Sequence, residues 1–134
     1  MNLNYITKLN KKKMSDTITF FPLGNADTTL IELANGKKLL FDYANMKNSE
    51  DKDDKRCDLP KELNKAVKDD FDVAAFTHAD LDHINGFSEY FFLEHAKEYQ
   101  DDERKKINDL WVPAAIILET VLDNQEAEIL RAEA

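Results

Sequence analysis

From Thr17 the chain reads TITFFPLG, a β-branched and aromatic run closed by Pro22 and Gly24, which predicts a strand ended by a turn. Two further runs, TTLIEL and KKLLFDY, are separated by Ala34-Asn35-Gly36, and Asn-Gly is the strongest short hairpin signal because both residues tolerate positive φ. The pattern predicts three antiparallel strands. The next stretch, Asn45 to Asp58, is polar and charge-mixed without an apolar period, so it reads as a solvated loop, either mobile or available for binding. Leu59, Leu63, Ala66 and Val67 then recur at helical spacing behind Asp58 as an acidic cap and Pro60 as an early helix residue.

FDVAAFT is continuously apolar apart from one aspartate, the signature of a buried strand. Gly86 to His95 reads as a helix, and Ala96 to Asn108 as polar surface helix or loop. DLWVPAA offers a strand ended by Pro113, AAIILETVL a helix, and a last helix starts near Asp123-Asn124. QEAEILRAEA runs to Ala134 with no Gly, Asn or Pro to close it, which points to a longer parent chain. The aromatic run Tyr90, Phe91, Phe92 and Leu93 is expected in the core, and so is Trp111.

Composition narrows the class. The 134 residues fit one domain, and 43% hydrophobic with 34% charged residues fits a folded chain with a highly charged surface. Residues 1–14 read as a flexible leader, in which Lys11 to Lys13 are a solvated tail rather than a contact patch, and 15–134 as the domain. A net charge of -9 opposes broad capture of nucleic acid or anionic membrane, although bound divalent ions can draw a phosphate into an acidic protein. Cys57 is the only cysteine, so no intramolecular disulfide forms; with no signal-like or membrane-length apolar run, the expected location is cytoplasmic.

The chemistry is concentrated in FTHADLDHINGF, Phe76 to Phe87, which holds two of the three histidines. His78, Asp80, Asp82 and His83 stand at i, i+2, i+4 and i+5. In an extended segment the first three share a face, and a turn after Asp82 brings His83 back toward them. Imidazole nitrogen with carboxylate oxygen suits Zn²⁺, Mn²⁺ or Fe²⁺, whereas Ca²⁺ takes more oxygen and structural zinc more thiolate. A hydrolytic ion lowers the pKa of its bound water to about 7, giving hydroxide at neutral pH. The competing reading has Thr77 or Asp80 capping the next helix, Asp82 as a surface carboxylate and the histidines incidental.

THADLDHINGF resembles the signature of the metallo-β-lactamase fold, Thr-His-x-His-x-Asp-His-x-x-Gly, in Thr77, His78, Asp82, His83 and Gly86. Asp80 stands in the place of the second histidine, similar to the hydrolase domain of competence-type DNA-uptake proteins and their stand-alone relatives. FFPLGNADTTLIELANGKKLLFDYA looks like the opening hairpins of that family, with Asp27 in its Gly-x-Gly-Asp position and Asp42 in its strand-end Asp-x-Gly position; Asn25-Ala26 and Tyr43-Ala44 depart from the common turns.

The resemblance implies an α/β fold, the N-terminal half of an αββα sandwich with a mostly antiparallel sheet and flanking helices. It implies two divalent ions, Zn or Mn, with His78 and Asp80 on the first, Asp82 and His83 on the second, and Asp42 orienting the ligand loop from behind. The second half of such a fold supplies another histidine, a bridging carboxylate and a final histidine. His95 is the one remaining histidine, and it reads as a helix-end or surface residue.

The function implied is metal-dependent hydrolysis of a phosphodiester or related ester in a nucleotide, nucleic acid or small molecule, with Asp82 catalytic and the isolated chain inactive or nearly so. A thioester or lactam hydrolase on the same fold, and an interaction module with a vestigial metal site, stand as alternatives. An uncovered half-sandwich face implies self-association or a partner chain.

Overall fold

In the computed structural model, which describes residues 15–134, the chain starts with three antiparallel strands: β1 (Thr17–Phe20), β2 (Thr29–Glu32) and β3 (Lys38–Phe41). The leader expected over residues 1–14 lies outside the described residues. At the β2–β3 turn, Leu33 N–H donates to Lys37 O and Gly36 N–H to Leu33 O, both at 2.8 Å. Gly36 alone there takes positive φ, 90°, so the glycine rather than Asn35 supplies the reversal.

Helix α1 (Leu59–Ala66) forms where the spacing predicts, with the Asp58 carboxylate accepting from Lys61 N–H at 3.2 Å and Pro60 in the first turn. It carries the chain across to β4 (Phe71–Ala75), which runs parallel to β3, and β5 (Ile107–Trp111) adds parallel to β4. The sheet therefore has the order β1-β2-β3-β4-β5, antiparallel through the first three strands and parallel beyond them, within a mixed α/β fold. No helix of the described residues is long and apolar enough to cross a membrane.

Pleating separates two faces. Leu30, Leu40 and Ala74 align across β2, β3 and β4 and are buried with Leu59, Leu63, Phe87, Phe91 and Leu130 in one core. The opposite row, Ile18-Ile31-Leu39-Val73, lies outside that core; in the next row Phe20 is 76% and Trp111 55% exposed. One sheet face is thus covered and the other open. Trp111 is consequently a surface residue and not the core residue its type suggested, because β5 turns it to the open face. Val73 is half-buried for the same reason, so β4 is buried fully only at Phe71, Ala74 and Ala75.

The helix expected from Gly86 to His95 is broken. Chain 81–90 forms two single turns, α2 (Leu81–Ile84) and α3 (Phe87–Tyr90), hinged at Gly86 with φ of 79°. Phe91 is extended and bridges to Lys105, and Phe92 N–H donates to Lys105 O at 2.9 Å. Tertiary pairing wins over helical propensity because it seats Phe91 edge-on to Tyr43 and Phe71, with ring centroids 5.4 and 5.7 Å away. Tyr90, Phe91 and Leu93 are core residues as expected, whereas Phe92 is half-buried. A 3₁₀ turn at Lys97–Tyr99 precedes β5. Helix α4 (Ala114–Leu118) stops at an extended Glu119, shorter than AAIILETVL suggests, and α5 (Gln125–Glu133) starts on Asn124, whose side chain accepts from Ala127 N–H at 2.8 Å.

The 45–58 loop is tied down by one carboxylate. Asp54 accepts from Asn48 N–H at 2.7 Å, from Arg56 N–H at 2.9 Å and from the Arg56 guanidinium at 2.8 Å, while Lys47 donates to the carbonyls of Asp54 and Arg56. The Arg56 guanidinium first, and the two amides after it, hold the Asp54 carboxyl well below the usual carboxylate range.

Phe91→Ala should lower unfolding free energy by about 3–5 kcal/mol in denaturant titrations, since Phe91 is fully buried among four rings; a loss below about 1 kcal/mol would refute that packing role. Because the native Asp54 carboxyl titrates below its unfolded value, its contribution is complete above about pH 4 and fades as pH falls through the native value. Asp54→Asn should therefore speed hydrogen exchange at the Asn48 and Arg56 amides at neutral pH, with the difference shrinking on acidification. Unchanged exchange at both amides at neutral pH would show that Asp54 does not hold the loop.

Candidate functional site

The parallel pair β3–β4 brings the C-terminal ends of two strands side by side, and the FTHADLDHINGF segment leaves β4 there. Asp42, the first residue beyond β3, takes φ of 55°. Aspartate tolerates this left-handed backbone better than most residues. Its N–H donates to Ala75 O at 2.8 Å, and its carboxylate is buried against the start of the motif.

That carboxylate has three donors. Thr77 N–H donates to Oδ1 at 2.7 Å, and the Thr77 hydroxyl to Oδ2 at 2.6 Å. Nδ1 of His83 approaches Oδ2 at 2.9 Å. An ionised carboxylate only accepts, so His83 carries its proton on Nδ1. Its Nε2 lies 3.7 Å from Oδ1 of Asp82. Burial pulls the His83 pKa down, but the Asp42 hydrogen bond, with the charges of Asp42, Asp82 and Asp27, outweighs it, so the imidazole titrates above its ordinary value.

The rest of the loop is clamped by its backbone. Tyr43 N–H donates to His83 O at 2.9 Å, Asn45 N–H to Asn85 O at 2.9 Å, and Asp27 N–H to Asp82 O at 3.2 Å. Asn85 Nδ2 returns a bond to Asn45 O at 2.6 Å, and Asn124, besides capping α5, donates to Ala79 O at 2.9 Å. Tyr43 and Ala44 are buried, and Ala44 N–H donates to the Thr28 hydroxyl at 3.1 Å.

His78 and His83 stand with ring centroids 4.8 Å apart. The four candidate ligands do not converge as an extended segment requires, because α2 begins at Leu81 and winds Asp82 and His83 onto neighbouring positions of a helical turn. Among the described residues no three His, Cys, Asp or Glu side chains form a group able to hold an ion. In donor chemistry the residues do fit a divalent transition ion: Nε2 of His83 is unprotonated in the neutral ring, and the carboxylates of Asp80 and Asp82 accept no hydrogen bond among the described residues, their backbone carbonyls alone doing so. Asp80 is the N-cap of α2 by backbone only; its side chain makes no capping bond. Capping, the main competing role for Asp80, is not taken up.

His95 lies in a turn rather than on a helix, with its N–H and Nδ1 at 3.1 and 3.2 Å from Glu133. It lines a cavity of about 360 Å³ with Lys106, Asn108 and Glu133, and no residue of this loop borders that cavity. Asp27 and Thr77 are the residues whose part in the site sequence reasoning left unassigned. Their signals were present, a carboxylate after the first strand and a hydroxyl beside the first histidine, but neither spacing reveals a contact across the fold.

No family model, curated protein or solved structure matches the chain.

Asp42→Ala should cost about 3 kcal/mol or more, because it leaves the Thr77 amide and the His83 Nδ1–H without their acceptor. Asp80→Ala, which breaks no hydrogen bond, should change stability by about 0.5 kcal/mol or less. Equal losses for the two variants in denaturant titrations would contradict the assignment of Asp42 as the clamp.

Proposed function

We propose that the chain carries the ligand loop of a metal-dependent hydrolase of the metallo-β-lactamase fold, of the competence-type branch marked by Asp80. The observation that carries this reading is His83, whose Nδ1 is held at 2.9 Å by buried Asp42 while its Nε2 faces the Asp82 carboxylate at 3.7 Å. In the neutral ring with its proton on Nδ1, Nε2 and the Asp82 oxygen are both acceptors. A proton on Nε2 or a cation satisfies such a pair. A carboxylate behind a histidine in front of a metal is the usual way of fixing ring orientation and raising ligand basicity.

On this reading His78 and Asp80 serve one ion, Asp82 and His83 the other, and Asp42 touches neither. Bound Zn²⁺ or Mn²⁺ would supply Lewis acidity and an activated water. The protein supplies the loop's position, fixed by the Tyr43, Asn45 and Asp27 backbone bonds, and the histidine tautomer. The substrate class is a phosphodiester or nucleotide ester, with thioester or lactam hydrolysis on the same fold as the other chemistry; net charge of -9 disfavours long nucleic acid. Cys57, as the only cysteine in the sequence, accords with a reducing, cytoplasmic setting.

A second reading, an interaction module with a vestigial site, is favoured by the open apolar face bearing Ile18, Phe20 and Trp111. Self-association or a partner chain that completes the fold would cover that face on either reading.

Full-length protein loaded with Mn²⁺ or Zn²⁺ should hydrolyse a nucleotide or cyclic-nucleotide phosphodiester, and Asp82→Ala should lower turnover by about 100-fold or more. Metal-dependent turnover of no ester, with no metal retained after purification, would sink the hydrolase reading and favour the module.

A further inference from the structure

The Thr77 hydroxyl sits between three partners. It donates to Asp42 Oδ2 at 2.6 Å, lies 3.1 Å from Nδ1 of His78, and is 3.4 Å from Nδ1 of His83. A hydroxyl has one proton and two lone pairs. Asp42 is an ionised carboxylate and can only accept, so that proton is committed to Oδ2. Towards His78 the hydroxyl oxygen is then an acceptor, and the hydrogen must come from the imidazole.

We infer that Thr77 is a positioning residue that extends the reach of Asp42 from one histidine to both. Asp42 takes the Nδ1–H of His83 directly and the Nδ1–H of His78 through the Thr77 hydroxyl. Both neutral rings then present Nε2 as an unprotonated donor atom. Left alone in water, a histidine side chain favours the opposite tautomer, with the proton on Nε2, and His78, which is exposed, has no other acceptor at Nδ1 among the described residues. The order His78 Nδ1–H to Thr77 hydroxyl to Asp42 carboxylate fixes the direction of every bond in the chain.

The use of those Nε2 atoms for metal rests on the function proposed above, but the tautomers do not. Long-range proton–nitrogen correlation spectra of ¹⁵N-labelled, metal-free protein, at a pH above the imidazole range, read them directly. His78 and His83 should both show the Nδ1–H signature. Thr77→Val, which keeps the shape and removes the hydroxyl, should shift His78 to the Nε2–H signature while His83 keeps its own; Thr77→Ser should preserve both. His78 found as Nε2–H in the unsubstituted protein, or unmoved in Thr77→Val, would overturn the inference. Should Thr77→Val fail to fold, the unsubstituted spectrum still decides it. Protein showing both Nδ1–H signatures yet binding no Zn²⁺ would overturn the proposed function and leave the role of Thr77 standing.

Discussion

The carboxylate of Asp42 is buried at the seam between two parallel strand ends, against the start of the chain that follows β4. Its three hydrogen bonds fix the Thr77 amide, the Thr77 hydroxyl and the His83 ring at 2.6–2.9 Å. A buried charge is tolerated only where hydrogen bonds replace its water, and here all the donors come from the motif that leaves β4. The left-handed backbone at Asp42 turns the carboxylate into that position, a local cost set against the ordering of the whole loop. From this clamp the remaining bonds follow, with Tyr43 and Asn45 carrying the β3 exit along the loop as far as Asn85.

Electrostatics and fold meet at the same point. The chain carries a net charge of -9, and at His83 the Asp42 carboxylate bonds Nδ1, Asp82 lies 3.7 Å from Nε2, and Asp27 adds its charge. Their combined field favours positive charge, whether as a proton or as a metal cation. A cation-seeking site at the C-terminal ends of parallel strands is the place where layered sheets ordinarily present ligands. The open face, with Ile18, Ile31, Leu39 and Val73 in one row, lies on the same five strands but is separate from the core that supports this site.

Much of this was legible in the residues. The β2–β3 turn at Gly36, the α1 start at Asp58 with Pro60, and the strand before the histidines follow from local patterns that tertiary contacts leave alone. Asp42 and the ligand-type quartet stood out by motif. What local patterns hid depended on contacts across the fold: the aromatic run after Tyr90 abandoned its helix to pair with Lys105, Trp111 turned outward with β5, and the 45–58 loop was pinned by Asp54. The geometry of the quartet was hidden too, since α2 winds up one residue after Asp80 and removes the extended segment that would have aligned the carboxylates.

Anomalous diffraction at the zinc edge, from crystals grown with Zn²⁺, locates any ion bound at the loop. An ion is expected about 2.0–2.1 Å from Nε2 of His83, with carboxylate oxygen from the loop beside it and Asp42 still bonded to Nδ1 on the far side of the ring. Zinc bound only at His95 and Glu133, or none bound at His83 while the loop keeps its fold, would contradict that placement.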